Sequence, residues 1–183
     1  VSSCKESFMQ KINRLLYVLA IIKIIIPFFL QDAYYQPHRD EFLYLAEGHH
    51  MAWGYMEVPP LLSVFAWLTN LFGGGMFWIK IWPAIFGALT FLLVGKIILS
   101  LGGKTFALIL GWLPFMLDGY MRLFFLFQPN FLEVFAWTMI AFSVVRYIQT
   151  EKNKCFVFHR FSIICVKDFA FVSVIKLPDK SST

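Results

Sequence analysis

Charge is what this sequence has little of. Lysine, arginine, aspartate and glutamate make up 15% of its 183 residues, against about 25% in ordinary soluble domains. Hydrophobic residues make up 59%, aromatic residues 19%, and the mean hydropathy is +0.68. A chain of this size has too few polar side chains to cover a core that large in water, so soluble, disordered and fibrous classes are excluded. Cysteine is sparse as well. Cys4, Cys155 and Cys165 are too dispersed for a disulfide framework or a paired metal-ligand motif, and they are silent on redox compartment. No internal repeat or low-complexity tract is present. The net charge of +5 is scattered at the ends of apolar runs, a pattern that suits membrane flanks and not a nucleic-acid partner.

Crossing a hydrocarbon core takes about 20 mainly apolar residues. Candidate spans are Leu15–Leu30, Leu61–Ile79, Ile81–Leu101, Thr105–Phe127, which is broken by Pro114, Asp118 and Arg122, and Phe131–Ile148. The expected fold is therefore an all-α, multispanning membrane protein with four or five crossings. Lys5, Lys11 and Arg14 precede the first run and favour a cytoplasmic N-terminus, which places the following loop outside. Met9 lies just ahead of that basic, apolar stretch and is a candidate natural start. The first run reads as a retained anchor, since it is long and no small-residue cleavage site follows it. Five crossings would put Arg146, Lys152 and Lys154 outside, against the positive-inside rule, so one segment is expected to be re-entrant or miscounted. The chain divides into a membrane region, 1–154, and a tail, 155–183, that has no clean helical stripe and no assignment.

The segment between the first two spans, residues 31–60, concentrates the chemistry. It holds Asp32, Asp40, Glu41, Glu47 and Glu57, five of the chain's 11 acidic residues, and three of its four histidines. A solvated loop would explain some of this, because membrane-protein loops are where charges stay hydrated. The order of residues says more. Pro37 can lead into a helix whose first turn carries Asp40 and Glu41, where the positive end of the helix dipole favours carboxylates. A helix from about Arg39 is predicted, with Asp40, Tyr44 and Glu47 on one face and Phe42, Leu45, Ala46 and His49 on the other. Such a helix suits the membrane interface, flanked by Tyr34, Tyr35, Trp53 and Tyr55. His49 and His50 point about 100° apart on a continuous helix and are poorly placed to share an ion.

Charges within apolar runs form a second set of candidates, since each is expensive in the bilayer and usually faces a cavity or a partner. Lys23 is open to three readings: a phosphate contact, snorkelling, or pairing with another helix. Asp118 and Arg122 are spaced for an intrahelical pair. Gln128, Pro129 and Asn130 with Glu133 read as a turn or as a second polar site.

The ordered set Arg39-Asp40-Glu41, then Gly54-Tyr55, then Glu57 with Pro59-Pro60-Leu61 resembles the first extracytoplasmic loop of GT-C membrane glycosyltransferases. The likeness is to the group of protein O-mannosyltransferases, aminoarabinose transferases and galacturonosyltransferase-like proteins. It spans about residues 15–148, whereas members of that group run for several hundred residues, so the chain is expected to correspond to their N-terminal part. The resemblance implies a polyprenyl-phosphate sugar as donor, a lipid, glycan or protein hydroxyl as acceptor, and inverting transfer in a multi-pass protein of the inner (plasma) membrane. It implies Asp40 as catalytic base with Glu41 as its acidic partner. It also implies Arg39, Tyr35 and Glu57 as substrate contacts, and Glu57 as ligand to a divalent metal. Asn130 stands where many relatives carry an acid. The alternative reading is a noncatalytic membrane module, a transporter fragment or assembly subunit, to which Lys23 and the Gly73–Gly75 break would contribute.

Overall fold

A computed structural model describes residues 2–30, 38–50 and 60–150. Tyr35, Glu57 and the tail 155–183 lie outside the described residues. Among the described residues seven helices follow in order: α1 (Ser2–Leu30), α2 (Arg39–Glu47), α3 (Pro60–Leu71), α4 (Met76–Ser100), α5 (Thr105–Met116), α6 (Asp118–Leu123) and α7 (Asn130–Thr150). No strand occurs among the described residues. Among them, three helical stretches are long and apolar enough to cross a membrane: Gln10–Phe29, Met76–Ser100 and Asn130–Gln149.

Of the five candidate spans one ends short and another is broken, each for a local reason. The segment beginning at Leu61 ends at Leu71, and the chain turns through Gly73 and Gly74 at φ of 96° and 65°, values that glycine adopts without a side-chain clash. The division between second and third segments therefore falls at these glycines, before Met76, and not near Lys80. At about 1.5 Å per residue, α3 covers roughly 18 Å, well short of a hydrocarbon core. The stretch from Thr105 to Phe127, expected to be broken by Pro114, Asp118 and Arg122, bends at Leu117, just past Pro114, whose ring removes a backbone donor and crowds the preceding turn. Asp118 and Arg122 occupy the first and last turns of α6, but no ion pair joins them among the described residues. Their placement at opposite ends is the one that complements the helix dipole.

Helix directions follow from a few contacts. Leu16 of α1 lies against Gly95 of α4, while Phe28 meets Phe77 with ring centroids 5.4 Å apart, so α1 and α4 are antiparallel. Phe91 of α4 packs edge-on to Phe115 of α5, and Gln149 near the end of α7 donates to the Ser100 carbonyl at 2.9 Å. Accordingly α4 and α7 run the same way, and residues 105–127 return between them. The core is the aromatic and aliphatic seam of these helices, with Leu16, Leu62, Phe91, Leu108, Phe124, Phe127 and Phe131 almost fully buried. Burying each such side chain is worth about 1.5–3 kcal/mol in water. Within lipid, close packing must supply more of the stability, and Gly87 serves it by letting the Phe124 ring approach α4.

Candidate functional site

The predicted helix in the first loop is present as α2, beginning at Arg39 as expected. Its faces match the expectation except at Leu45. Phe42, Leu43, Ala46 and His49 point outward, while Glu41 and Gly48 are buried and Tyr44 and Leu45 half-buried. The reason is that α2 docks on protein before it meets any other surface. Gly48 fits against Ala66 and the Trp67 backbone of α3 so closely that a Cβ there would sit 2.7 Å from the Ala66 methyl carbon. Asn70 of α3 donates to the Leu45 carbonyl at 3.3 Å.

Glu41 pins the other end of α2. It has no exposed surface, and all its hydrogen-bonding directions converge on neighbours. Oε1 accepts from Lys80 Nζ of α4 at 2.5 Å and from the Phe127 backbone N–H at 2.6 Å. Oε2 accepts from the backbone N–H of His38 at 2.8 Å, so Glu41 closes one half of a capping box on its own helix. The Lys80 ammonium, equally buried, also lies 4.7 Å from the centroid of the Phe125 ring. One carboxylate thus joins the start of α2, the first turns of α4 and the turn before α7. Both members of a buried pair need such additional partners to offset their desolvation.

Asp40, the next residue back, points the other way. Its side chain is 37% exposed. Oδ2 accepts from Gln128 Nε2 at 3.4 Å and lies 3.5 Å from His38 Nδ1, while Oδ1 is 3.6 Å from Arg39 Nε. Gln128 in turn accepts from Asn130 Nδ2 at 3.5 Å. The stretch Gln128–Asn130 is therefore both a turn and a part of the same polar site. The Arg39 side chain is 95% exposed, free to meet an anion outside the protein.

The expected residues thus separate by role. Asp40 and Arg39 are accessible, Glu41 is sealed and fully bonded, and Tyr35 and Glu57 lie outside the described residues. Among the described residues no three His, Cys, Asp or Glu side chains gather as a metal site would require. Glu41 is unsuited to share an ion with Asp40, because both its oxygens are already taken. Lys80, Gln128 and His38 are the site residues that reading the sequence overlooked or left apart. Lys80 did carry a signal: a lone cation between two uncharged apolar runs is costly unless it has a partner.

Lys23, the charge inside the first span, is 1% exposed. Its Nζ approaches Met121 Sδ at 3.7 Å and the Phe124 ring centroid at 5.8 Å. The structure gives it packing partners from α6 and the following turn, and no carboxylate among the described residues. No family model, curated protein or solved structure matches the chain.

Proposed function

We propose that this chain is the GT-C-like membrane region of a glycosyltransferase that takes a sugar from a polyprenyl-phosphate donor to a hydroxyl outside the cytoplasm. The observation that carries the reading is the pairing of opposites at the start of α2. A buried, triply bonded Glu41 fixes the helix end, and it leaves its neighbour Asp40 accessible in a polar setting. A general base must be held in place and yet reach its substrate.

In the proposed reaction Asp40 removes the proton from the acceptor hydroxyl as that oxygen attacks the anomeric carbon. The bond from that carbon to the phosphate oxygen breaks with its electron pair, and polyprenyl phosphate departs with inversion of configuration. Gln128 orients the Asp40 carboxylate. Arg39 supplies positive charge for the leaving phosphate, and Glu41 with Lys80 acts as the positioning pair. Glu57 is the candidate ligand for a divalent metal, which would supply further positive charge for the phosphate.

The helix directions support the membrane arrangement this requires. With α1 and residues 105–127 running outward and α4 and α7 running inward, four passages, the third of them broken, return the end of α7 to the side of the N-terminus. Lys11, Arg14, Lys96, Lys104 and Arg146 then share the cytoplasmic side, in keeping with the positive-inside rule. In this arrangement α2 lies at the outer interface with Phe42 and Leu43 toward the headgroups. The test is transfer by the reconstituted chain supplied with a polyprenyl-phosphate sugar. Asp40→Asn is expected to lower turnover by about 10²–10⁴, the usual contribution of a general base; undiminished transfer would reject the assignment.

The second reading, a noncatalytic transport or assembly module, is favoured by one observation, the buried Lys23 with no anionic partner among the described residues. Intramembrane lysines commonly mark translocation paths. Solute uptake by proteoliposomes that is abolished by Lys23→Met, with no consumption of lipid-linked sugar, would select it.

A further inference from the structure

A cleft of about 560 Å³ runs along the seam between α4 and α7. Its walls are apolar, built by Val94 and Ile97 of α4 and Val134, Trp137 and Ala141 of α7, and Glu133 lies toward one end. From Asn130 to Ala141 it extends roughly 16 Å at about 1.5 Å per residue, half of a hydrocarbon core. Both helices are long and apolar enough to span, so the bulk of the cleft lies where acyl chains are the solvent.

The polar end of this cleft adjoins the site already described. Asn130, a lining residue, donates to Gln128, and Gln128 donates to Asp40. A lipid whose chain fills the apolar part would therefore present its head beside Asp40. The charges there select the head. Glu133 has no ion-pair or hydrogen-bond partner for its carboxylate among the described residues, and no cation lines the cleft. A phosphate-bearing head in the cleft would meet the Glu133 carboxylate, whereas a hydroxyl would find an acceptor there.

We propose that the α4–α7 cleft binds a lipid with an uncharged, hydroxyl-bearing headgroup. On the transferase reading, on which this last step rests, that lipid is the acceptor and its hydroxyl is the group Asp40 deprotonates. The probes are diacylglycerol and phosphatidic acid carrying the same photoreactive diazirine acyl chain, offered to the full chain in phosphatidylcholine nanodiscs, with crosslinks mapped by peptide mass spectrometry. Diacylglycerol is expected to label the 130–141 segment at least about tenfold more than phosphatidic acid, because like charges brought together at a binding site cost several kcal/mol. Glu133→Gln, which keeps the shape, should narrow that ratio by admitting phosphatidic acid. Ala141→Trp, which fills the cleft, should remove the labelling while circular dichroism shows the helices intact. Equal labelling by the two heads in the unaltered chain would overturn the proposal, as would a head preference that Glu133→Gln leaves unchanged. Labelling of the unaltered chain by diacylglycerol without any sugar transfer would reject the reaction and retain the cleft assignment.

Discussion

Among the described residues two lysines lie buried in the helices, and they have opposite surroundings. Lys80, in the first turns of α4, holds the Glu41 carboxylate at 2.5 Å and sits within a set of backbone and side-chain contacts that leaves Glu41 fully bonded. Lys23, in the middle of α1, meets a thioether and a ring face. The difference shows that burial of a charge is not by itself the mark of a structural ion pair. At Lys80 the cation fastens three segments at the end where the accessible Asp40 sits. At Lys23 it is tolerated by polarizable neighbours and fastens nothing through charge.

The largest expected effect tests the first half of that contrast. Lys80→Met leaves the Glu41 carboxylate buried opposite an apolar side chain, and loss of one partner from such a pair costs about 3–5 kcal/mol. Chemical unfolding of the purified chain in detergent, followed by circular dichroism, should register the loss. Adding Glu41→Leu to Lys80→Met removes the stranded charge as well and should recover much of the stability, since an apolar replacement of a whole buried pair is often neutral. The recovered variant still lacks the pin on α2. If the pair serves to position Asp40, transfer should remain low although stability returns, and that separation distinguishes positioning from simple structural support.

How far the sequence could reach is visible at this same site. The helix beginning at Arg39 was legible because proline, carboxylates in a first turn and a short periodic pattern are local signals, as was the helical, membrane-adapted character of the chain. The contrasting roles of Asp40 and Glu41 were not. Two adjacent acids look alike in one dimension, and what separates them is Lys80 and the Phe127 N–H, 39 and 86 residues away. For α2, periodicity shows which residues share a side and not which of them meet protein, so the half-burial of Leu45 was not legible. Gly48 decides that, through a contact with α3 that spacing does not reveal. Likewise the 105–127 segment has three candidate breaks in Pro114, Asp118 and Arg122, and the fold puts its bend just after the first of them.

A smaller effect is expected at the far end of α2. Gly48→Leu places a side chain where the Ala66 methyl and Trp67 backbone already lie, and overpacking of this kind typically costs about 1–3 kcal/mol. Because Glu41 still pins the first turn, the helix should lift at its C-terminal end alone. Faster cysteine labelling at an introduced Leu45→Cys, compared with an introduced Phe42→Cys that is exposed already, would register this hinge-like release. Uniform acceleration at both positions would mean that the Glu41–Lys80 contact does not hold the helix by itself, and the contrast between the two lysines would weaken.

The smallest expected effect is the sharpest test of the contrast. Lys23→Met exchanges a buried ammonium for an unbranched apolar side chain of similar reach, next to Met121 and Phe124. No carboxylate among the described residues loses a partner, so the penalty that dominates Lys80→Met has no counterpart here. What disappears is a weak contact to sulfur, a distant ring interaction and the cost of keeping a cation away from water. These oppose one another, and the result should lie within about 1 kcal/mol of the unaltered chain or on the stable side of it. The same unfolding measurement decides. A loss as large as that of Lys80→Met would mean that an anion meets Lys23 in the membrane, and the two lysines would then be alike after all.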